Sequence, residues 1–370
     1  MTQATDGPLI AIDARLIGYA AGIAQYARLL TDALSELQGP ERYLILRGRH
    51  TRQQRVGGRR VFTPPHNRLE RWSLPLELMA RPPWPTLLHS VDHVAPAWRK
   101  WRSVVTLHDL AFLLYPATHT AQSRAYYAAC GESVRQAERV IAASQRTASD
   151  AVRLLGVDPA RMRVVPEAAA PGYAPRDEGA FQSTATRLSL DHRPYALFVG
   201  TLEPRKNVPV LLEAFVQVRR QLDAQLLVVG GRGWLDEPIF AAHARSGLGG
   251  AVRFLGTLDQ DDLAALYSRA GVFVLPSVYE GFGLPVLEAM ACGAPVVCSN
   301  AGPLPEVAGD AALLLPPEDA GKWAQVIVSV LADARQADGL RQKGFARAAT
   351  FSWERAALAT REVYREALLA

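Results

Sequence analysis

Short apolar segments alternate with segments of helical spacing along the whole chain, and this alternation constrains the fold more than any other feature. The first apolar segment covers residues 9–12 and is followed by a helical pattern over 23–37. The apolar segments show no alternation of polar and apolar residues, so they predict strands that are buried on both faces. Further strands are predicted at 43–46, 86–89, 103–107, 139–143 and 163–166. Such strands, separated by helices, are typical of a parallel sheet covered on both sides.

The alternation is interrupted once, between about residues 170 and 193, where proline, glycine and polar residues predict a linker. A second series follows, with strands predicted at 195–199, 225–229, 252–255, 271–275 and 295–298. The last segment, 353–369, has the pattern of an amphipathic helix. Because 370 residues suffice for about two domains of ordinary size, we predict an α/β protein with two domains.

Composition excludes several classes of protein. The net charge is 41 − 36 = +5, which is too small over 370 residues for a dedicated nucleic-acid binder. The three cysteines, Cys130, Cys292 and Cys298, form no Cys-x-x-Cys pair, which favours a reduced, cytoplasmic protein. Neither a signal peptide nor a membrane-spanning segment is expected, since no apolar run is long enough and the chain does not start with a basic segment followed by an apolar one.

The segment 273–308 carries the strongest functional motif. A predicted strand is followed by a glycine-rich turn and by a helix that has Pro285 in its first turn and Gly293 at its end. The turn presents the N–H groups of a helix N-terminus, which suit a phosphate or a sugar oxygen. Gly281 and Gly283 allow a ligand to approach the backbone closely.

Two glutamates, Glu280 and Glu288, lie in this block with seven residues between them. The whole block resembles the signature of glycosyltransferase family 4. The resemblance implies the GT-B fold, in which two Rossmann-like domains face each other across a cleft and a C-terminal helix returns to the first domain. It implies an acceptor-binding domain over 1–172, a nucleotide-sugar donor domain over 190–352 and a helix over 353–370 that packs on the N-terminal domain.

The resemblance also implies roles for the residues of the motif. Glu280 would hydrogen-bond the hydroxyl groups of the donor sugar, and Glu288 would bind the ribose of the nucleotide. The backbone amides of Phe282, Gly283 and Leu284 would contact the diphosphate and the sugar.

Two adjacent cations, Arg205 and Lys206, follow the first strand of the second series, with Gly200 at the strand end. A diphosphate gains negative charge as the glycosidic bond breaks, so fixed cations stabilise the transition state more than the ground state. The family resemblance assigns this role to Arg205 and Lys206. Asn207 is predicted to cap the helix that follows.

Other loops resemble family segments at the ends of predicted strands. His108 matches a family histidine beside the donor sugar, and Asp109 is expected to orient its loop. Gly22 belongs to a loop that resembles the one facing the donor phosphates. Backbone around Thr257 and Leu258 resembles the turn that receives the base.

Neither a metal nor a resident cofactor is expected. Asp259 and Asp261 have the Asp-x-Asp spacing that binds a divalent metal in another glycosyltransferase fold. Here the pair opens a predicted helix, so capping is the favoured interpretation.

A basic segment of the first domain lies near apolar and aromatic residues. Such a combination can bind an anionic membrane surface or a polyprenyl-diphosphate acceptor. A solvated loop beside an ordinary packed helix is the alternative. The residues are Arg47, Arg49, Arg52, Arg55, Arg59 and Arg60, with Trp72, Leu74, Leu76, Leu78 and Trp84.

The family resemblance implies a retaining hexosyltransferase. No motif marks a carboxylate nucleophile, so we expect a front-face reaction in which the departing phosphate takes the acceptor proton. Segments 202–207 and 279–285 look most like bacterial mannosyl- or rhamnosyltransferases of polysaccharide assembly. GDP-mannose is therefore the favoured donor and a glycan or lipid-linked molecule the acceptor. Transfer from UDP-glucose or a UDP-hexosamine stays open, as do a GT-B nucleotide-sugar epimerase and a non-catalytic nucleotide-sugar-binding subunit.

Overall fold

The computed structural model describes residues 7–18, 22–48, 58–67 and 69–370. Arg49, Arg52 and Arg55 of the basic segment lie outside the described residues. The chain divides into two compact units, one of Met1–Glu167 with Ser352–Ala370 and the other of Ala168–Phe351. Each unit is built on one parallel sheet.

In the described part of the first unit, seven strands form a sheet in the order β3-β2-β1-β4-β5-β6-β7. The strands are β1 (Leu9–Asp13), β2 (Arg42–Arg47), β3 (Gly58–Arg60), β4 (Leu87–Ser90), β5 (Arg102–Leu107), β6 (Arg139–Ala142) and β7 (Met162–Val164). The helices are α1 (Gly22–Glu36), α2 (Glu70–Met79), α3 (Ala111–Leu114), α4 (Ala121–Tyr127), α5 (Cys130–Gln136) and α6 (Gln145–Leu155). Strand β3 was not predicted, because its sequence Gly-Arg-Arg has no apolar residue.

The strand order of this sheet reverses at one place. From β1 the chain adds β2 and β3 on one side, and then returns to place β4 on the other side of β1. In open parallel sheets, ligands bind outside the carboxyl ends of the strands at such a switch point. The ends of β1 and β4, at Asp13 and Ser90, therefore mark a position of interest.

The second unit has six parallel strands in the order β10-β9-β8-β11-β12-β13. They are β8 (Tyr195–Val199), β9 (Gln225–Val229), β10 (Val252–Gly256), β11 (Val272–Leu275), β12 (Val296–Ser299) and β13 (Ala312–Leu315). The helices are α7 (Glu178–Arg187), α8 (Val208–Arg219), α9 (Glu237–Ser246), α10 (Gln260–Arg269), α11 (Leu284–Cys292), α12 (Leu304–Ala308), α13 (Ala320–Ala332) and α14 (Ala334–Ala348). The switch point of this sheet lies between β8 and β11.

Helix α7 corrects the linker prediction. The segment is polar, with few apolar residues to reveal a helix, and polar contacts join it to its neighbour α10. The hydroxyl of Thr184 donates to Asp262 at 2.9 Å, and the guanidinium of Arg187 forms two hydrogen bonds with the same carboxylate. Strand β13 was also not predicted.

The final helix, α15 (Trp353–Leu369), belongs to the first unit. The hydroxyl of Tyr364 lies 2.7 Å from Nδ1 of His89, and Glu366 accepts a hydrogen bond from Arg139 at 2.9 Å. Trp353 packs edge-on against Tyr26. No helix in the described residues combines the length and the apolar character that crossing a bilayer requires.

Candidate active site

The switch point of the second unit gathers the charged residues of the strongest motif. Strands β8 and β11 are paired and parallel, so the loops that follow them leave the sheet at the same edge. The backbone N–H of Val278 donates to the carbonyl of Arg205 at 2.9 Å, which ties the two loops together.

Glu280 lies at the centre of this loop pair. One carboxylate oxygen accepts from Nζ of Lys206 at 2.7 Å and from the hydroxyl of Ser277 at 2.6 Å. The other accepts from Nη1 of Arg205 at 2.7 Å. The structure thus brings three predicted site residues into direct contact, although the role of Glu280 toward a sugar stays a prediction.

The Glu280 carboxylate is buried and ionised. Burial by itself raises its pKa, but the charges of Lys206 and Arg205, with the hydrogen bonds from Lys206 and Ser277, lower the pKa to about 2. Near neutral pH, the carboxylate therefore acts only as a hydrogen-bond acceptor.

Sequence reasoning missed Glu203. Its carboxylate accepts from Nη2 of Arg205 at 2.6 Å, and the residue is 2% exposed. Arg205 is thereby held between Glu203 and Glu280, so the cluster contains two cations and two carboxylates. The signal in the sequence was an acid two residues before the cationic pair, inside a motif already selected.

Gly200 lies beside Lys206, and its donor contact stays a prediction, whereas the predicted cap at Asn207 is wrong. A Cβ atom at Gly200 would lie 3.3 Å from Cε of Lys206, so this glycine leaves room for the lysine stem. Asn207 does not cap α8 with its side chain and has a left-handed backbone, with φ of 56°. Its side-chain amide instead donates to the carbonyls of Pro276 and Pro317, at 3.2 and 2.7 Å.

The glycine-rich turn leads into α11 as the sequence predicts. Gly283 precedes the helix with φ of 107°, Pro285 lies in the first turn, and Gly293 ends the helix with φ of 84°. The first N–H groups of a helix have no partner within it and carry the positive end of its dipole. The proposed contacts of Phe282, Gly283 and Leu284 lie at this N-terminus, with the Phe282 ring buried against Phe351.

Glu288 lies on α11 and is 5% exposed. Its Oε2 atom lies 3.3 Å from the hydroxyl of Tyr267, which sequence reasoning did not select. Tyr267 packs edge-on against Tyr173, so two tyrosines flank this carboxylate. The predicted ribose contact of Glu288 stays a prediction.

The predicted base-binding turn follows β10. Thr257 is exposed and Leu258 half-buried. A Cβ atom at Gly231 would lie 3.2 Å from the Thr257 hydroxyl, so this turn lies beside the loop after β9. Base recognition by this turn stays a prediction.

In the first unit, His108 follows β5 and is held from both sides. Its Nδ1 lies 3.0 Å from Oε1 of Glu167, and its Nε2 lies 2.8 Å from the carbonyl of Val91. Burial lowers the pKa of His108, but the hydrogen bond and charge of Glu167 outweigh it and raise the pKa above the ordinary value. Because both neighbours are acceptors, the doubly protonated ring satisfies both.

Other first-unit predictions have mixed outcomes. Asp109 accepts from the backbone N–H of Ala111 at 2.9 Å, which orients the loop as expected. Gly22 begins α1, and a Cβ atom there would meet nothing within 4 Å. Residues 19–21 of the same loop lie outside the described residues.

The Asp-x-Asp segment caps a helix. Asp259 accepts from the N–H of Asp262 at 2.9 Å, and the exposed Asp261 pairs with Arg176 at 2.8 Å. Across the ranges that the structure describes, no group of three or more His, Cys, Asp or Glu side chains is arranged to hold a metal.

The apolar residues near the basic segment divide into two sets. Leu74 and Leu78 are buried in the core, as the interpretation of an ordinary packed helix predicts. Five others are more than half exposed and form what we call the apolar patch: Phe62, Leu69, Trp72, Leu76 and Trp84.

Two Rossmann-like units, with a buried cluster of cations and carboxylates at one switch point, define the class of GT-B glycosyltransferases. Comparison with known proteins identifies the family. The model for glycosyltransferase family 4 matches residues 20–169, and the model for glycosyl transferases group 1 matches residues 184–347. The chain belongs to this family of glycosyltransferases.

Individual relatives agree with that assignment. O-antigen chain mannosyltransferase B of Escherichia coli is 36% identical over 71% of this chain and 70% of its own length. D-inositol 3-phosphate glycosyltransferase of Salinispora arenicola is 35% identical over 64% of this chain and 56% of its own length. Among solved structures, sucrose-phosphate synthase of Thermosynechococcus elongatus has a TM-score of 0.78 at 24% identity, over 97% of this chain and 98% of that one.

Proposed function

We propose that this glycosyltransferase transfers a mannosyl group from GDP-mannose to a glycan or lipid-linked acceptor, with retention of anomeric configuration. The observation that carries the proposal is the buried cluster of Arg205, Lys206 and Glu280 beside the N-terminus of α11. The choice of mannose is supported by the E. coli relative, which is named as a mannosyltransferase of O-antigen chains.

The cations and the helix N-terminus suit the donor diphosphate. Arg205 and Lys206 are already positioned by carboxylates, so little reorganisation is needed when negative charge develops on the leaving group. The N–H groups at the start of α11 supply further donors for phosphate oxygens.

Glu280 suits the donor sugar. Its ionised carboxylate can accept hydrogen bonds from sugar hydroxyls, and the cations on its other side keep it ionised. Glu288, on the same helix, is the candidate acceptor for the ribose hydroxyls.

A front-face reaction fits the chemistry of this cluster better than a double displacement. The oxygens of Glu280 are engaged by two cations and a hydroxyl, which makes this carboxylate a poor nucleophile. In the reaction we propose, the bond between the anomeric carbon and the phosphate oxygen breaks first. The acceptor oxygen enters on the same face, and the departing phosphate takes its proton, so no metal and no strong protein base is needed.

A thermal-shift experiment tests the donor site. A ligand that binds only the folded state raises the midpoint of unfolding. We expect GDP to raise it more than UDP, ADP or dTDP. A larger shift with UDP would indicate a UDP-sugar as the donor instead of GDP-mannose. No shift with any of the four nucleotides would overturn the donor-site assignment.

The anomeric configuration of the product is tested in a separate experiment. Transfer from α-linked GDP-mannose is followed by NMR of the product, where retention predicts an α-linkage. A β-linked product would overturn the front-face mechanism while leaving the donor assignment intact.

Peripheral contact with an anionic membrane is part of the same proposal. Leu69, Trp72 and Leu76 share one face of α2 or its N-terminal extension. The indole of Trp84 donates to the carbonyl of Met79, at the end of α2, and the guanidinium of Arg59 donates to carbonyls of Arg81 and Pro83. Exposed aromatic groups beside arginines are typical of proteins that lie on anionic lipid.

The three cysteines are unpaired and buried, which supports a cytoplasmic location.

Vesicle sedimentation tests the membrane contact. The double variant Trp72→Ser/Trp84→Ser is expected to lose binding to vesicles of phosphatidylglycerol and phosphatidylcholine. Trp234→Ser, in the second unit, is the matched control and should bind like the wild type. Equal binding by all three proteins would show that the apolar patch does not bind the vesicles.

A further inference from the structure

Glu203 is a buried carboxylate to which the proposed reaction gives no role of its own. It lies in the loop after β8 and accepts a hydrogen bond from Arg205 at 2.6 Å. We propose that Glu203 is a positioning residue that acts through Arg205, whose positive charge it offsets, so that the nucleoside diphosphate product is bound weakly enough to leave. The inference rests on the function proposed above, since it concerns release of the product from the same site.

Main-chain hydrogen bonds hold the segment around Glu203. The preceding residue, Leu202, donates its N–H to the carbonyl of Gly231 at 2.9 Å and accepts from the N–H of Gly233 at 3.0 Å. The carbonyl of Glu203 accepts from the N–H of Lys206 at 3.1 Å, within a short 3₁₀ helix. Because these three bonds involve only the main chain, a side-chain substitution at Glu203 removes none of them.

The four charged side chains of the cluster differ in their access to solvent. Arg205 is the most exposed of them, at 15%, whereas the side chain of Glu203 is 2% exposed. Lys206 and Glu280 lie between these values. A ligand can therefore reach the guanidinium but not the carboxylate of Glu203, which influences the ligand through the arginine and not by direct contact.

The formal charges of the cluster cancel, because two cations face two carboxylates. Without Glu203, the remaining three side chains would carry a net positive charge, and screening is weak where charged groups are buried. Glu203 therefore lowers the affinity of the site for anions. The effect is larger for the product than for the donor, because the terminal phosphate of a free nucleoside diphosphate has a second ionisable oxygen.

Arg205 has anchors besides Glu203. Its Nη1 atom donates to the carboxylate of Glu280 at 2.7 Å and to the carbonyl of Tyr279 at 2.8 Å. Loss of the Glu203 charge therefore leaves the guanidinium held in place but more attractive to an anion. Binding that is equally tight for donor and product does not raise turnover, and release of the product limits many enzymes. A carboxylate behind the arginine favours turnover for this reason.

Titration calorimetry with GDP tests the role of Glu203. The variant Glu203→Gln keeps the shape of the side chain and an oxygen that can accept from Arg205, but it removes the charge. We expect GDP to bind about tenfold more tightly to this variant, because one negative charge beside a buried cation is lost. Stopped-flow measurement should show correspondingly slower dissociation of GDP. A residue that only supports the loop would give weaker binding when it is replaced.

Three further variants separate charge from shape. Glu203→Ala removes the same charge with a smaller side chain, so it should also bind GDP more tightly, and it replaces Glu203→Gln should that variant fail to fold. Glu203→Asp keeps the charge, and its affinity should stay close to that of the wild type. Glu213→Gln, at an exposed position of α8, is the control and should change the affinity by less than about twofold. Weaker or unchanged binding in the uncharged variants overturns the proposal, and so does equally tight binding in Glu203→Asp.

Titration of the same proteins with UDP separates this inference from the proposed function. GDP and UDP share the diphosphate, so Glu203→Gln should tighten the binding of both by the same factor. Tighter binding of UDP than of GDP by the wild type, with both tightened by the substitution, would correct the donor and support the role of Glu203. Wild-type binding that the substitution does not tighten would overturn the inference alone. Binding of neither nucleotide by any of the proteins would overturn the donor site as well.

Discussion

The two switch points occupy the same place in two similar sheets, yet they hold different charged groups. In the second unit, carboxylates position two adjacent cations, Arg205 and Lys206, beside a helix N-terminus. In the first unit, a single cation, Arg15, donates to the carboxylates of Asp13 and Glu70 and to the carbonyl of Thr63. The shared topology explains where a ligand would bind, but the side chains decide its charge. On this basis we infer that the diphosphate binds at the second switch point, where two adjacent cations lie beside a helix N-terminus.

The largest expected effect comes from removing the cations. Lys206→Ala and Arg205→Ala should each lower turnover at saturating donor by at least about tenfold, or about 1.4 kcal/mol, because each leaves less charge to stabilise the leaving diphosphate. Initial rates of GDP release measure this. Lys322→Ala, which removes an exposed lysine of the same unit, is the control. Unchanged turnover in both variants would mean that the second switch point does not bind the diphosphate.

The next prediction distinguishes binding of the nucleotide from binding of the donor sugar. Glu288→Ala should weaken the binding of GDP even without acceptor, since its proposed partner is the ribose. A loss of about tenfold is expected for hydrogen bonds to a buried carboxylate. Titration calorimetry with GDP measures it, and Tyr267→Phe removes only the neighbouring hydroxyl. Normal affinity of Glu288→Ala for GDP would mean that another residue binds the ribose.

Sequence patterns predicted most strands of the two sheets but not the side-chain contacts between distant segments. Buried parallel strands are continuous apolar segments, so β8 and β9 were predicted with their observed bounds. The motif at Glu280 was predictable because its turn, helix start and helix end follow one another along the chain. The ion pair of Arg15 with Glu70 was not, because the two residues lie 55 positions apart and only the folded chain brings them together. Helix α7 was missed for the same reason, since its polar partner Asp262 lies in another helix.

A further prediction concerns the pH dependence of stability, which should distinguish the two units. The raised pKa of His108 means that its pairing with Glu167 stabilises the fold fully below the unfolded pKa, near 6.5. This contribution is lost as pH rises through the higher pKa of the folded state. We therefore expect His108→Gln to destabilise the protein more at pH 6 than at pH 9, by about 1–3 kcal/mol for a charged hydrogen bond. Melting curves at both pH values measure it.

His243→Gln, on α9 of the second unit, provides the matched control for this experiment. Its ring contacts Phe254 and the carbonyl of Gly249 rather than a carboxylate. A difference between pH 6 and pH 9 that is equal in the two variants would show that the His108–Glu167 pair is not responsible.

The smallest expected effect is that of a chelator. If Arg205 and Lys206 supply the positive charge that a divalent metal supplies in other transferases, EDTA should leave turnover unchanged. The segment with metal-like spacing supports this expectation, because Asp259 is used as a helix cap and Asp261 pairs with Arg176. Complete loss of activity, restored by magnesium or manganese, would contradict it. The two cations would then no longer suffice to place the diphosphate at the second switch point, because a metal held by carboxylates could bring it to either sheet.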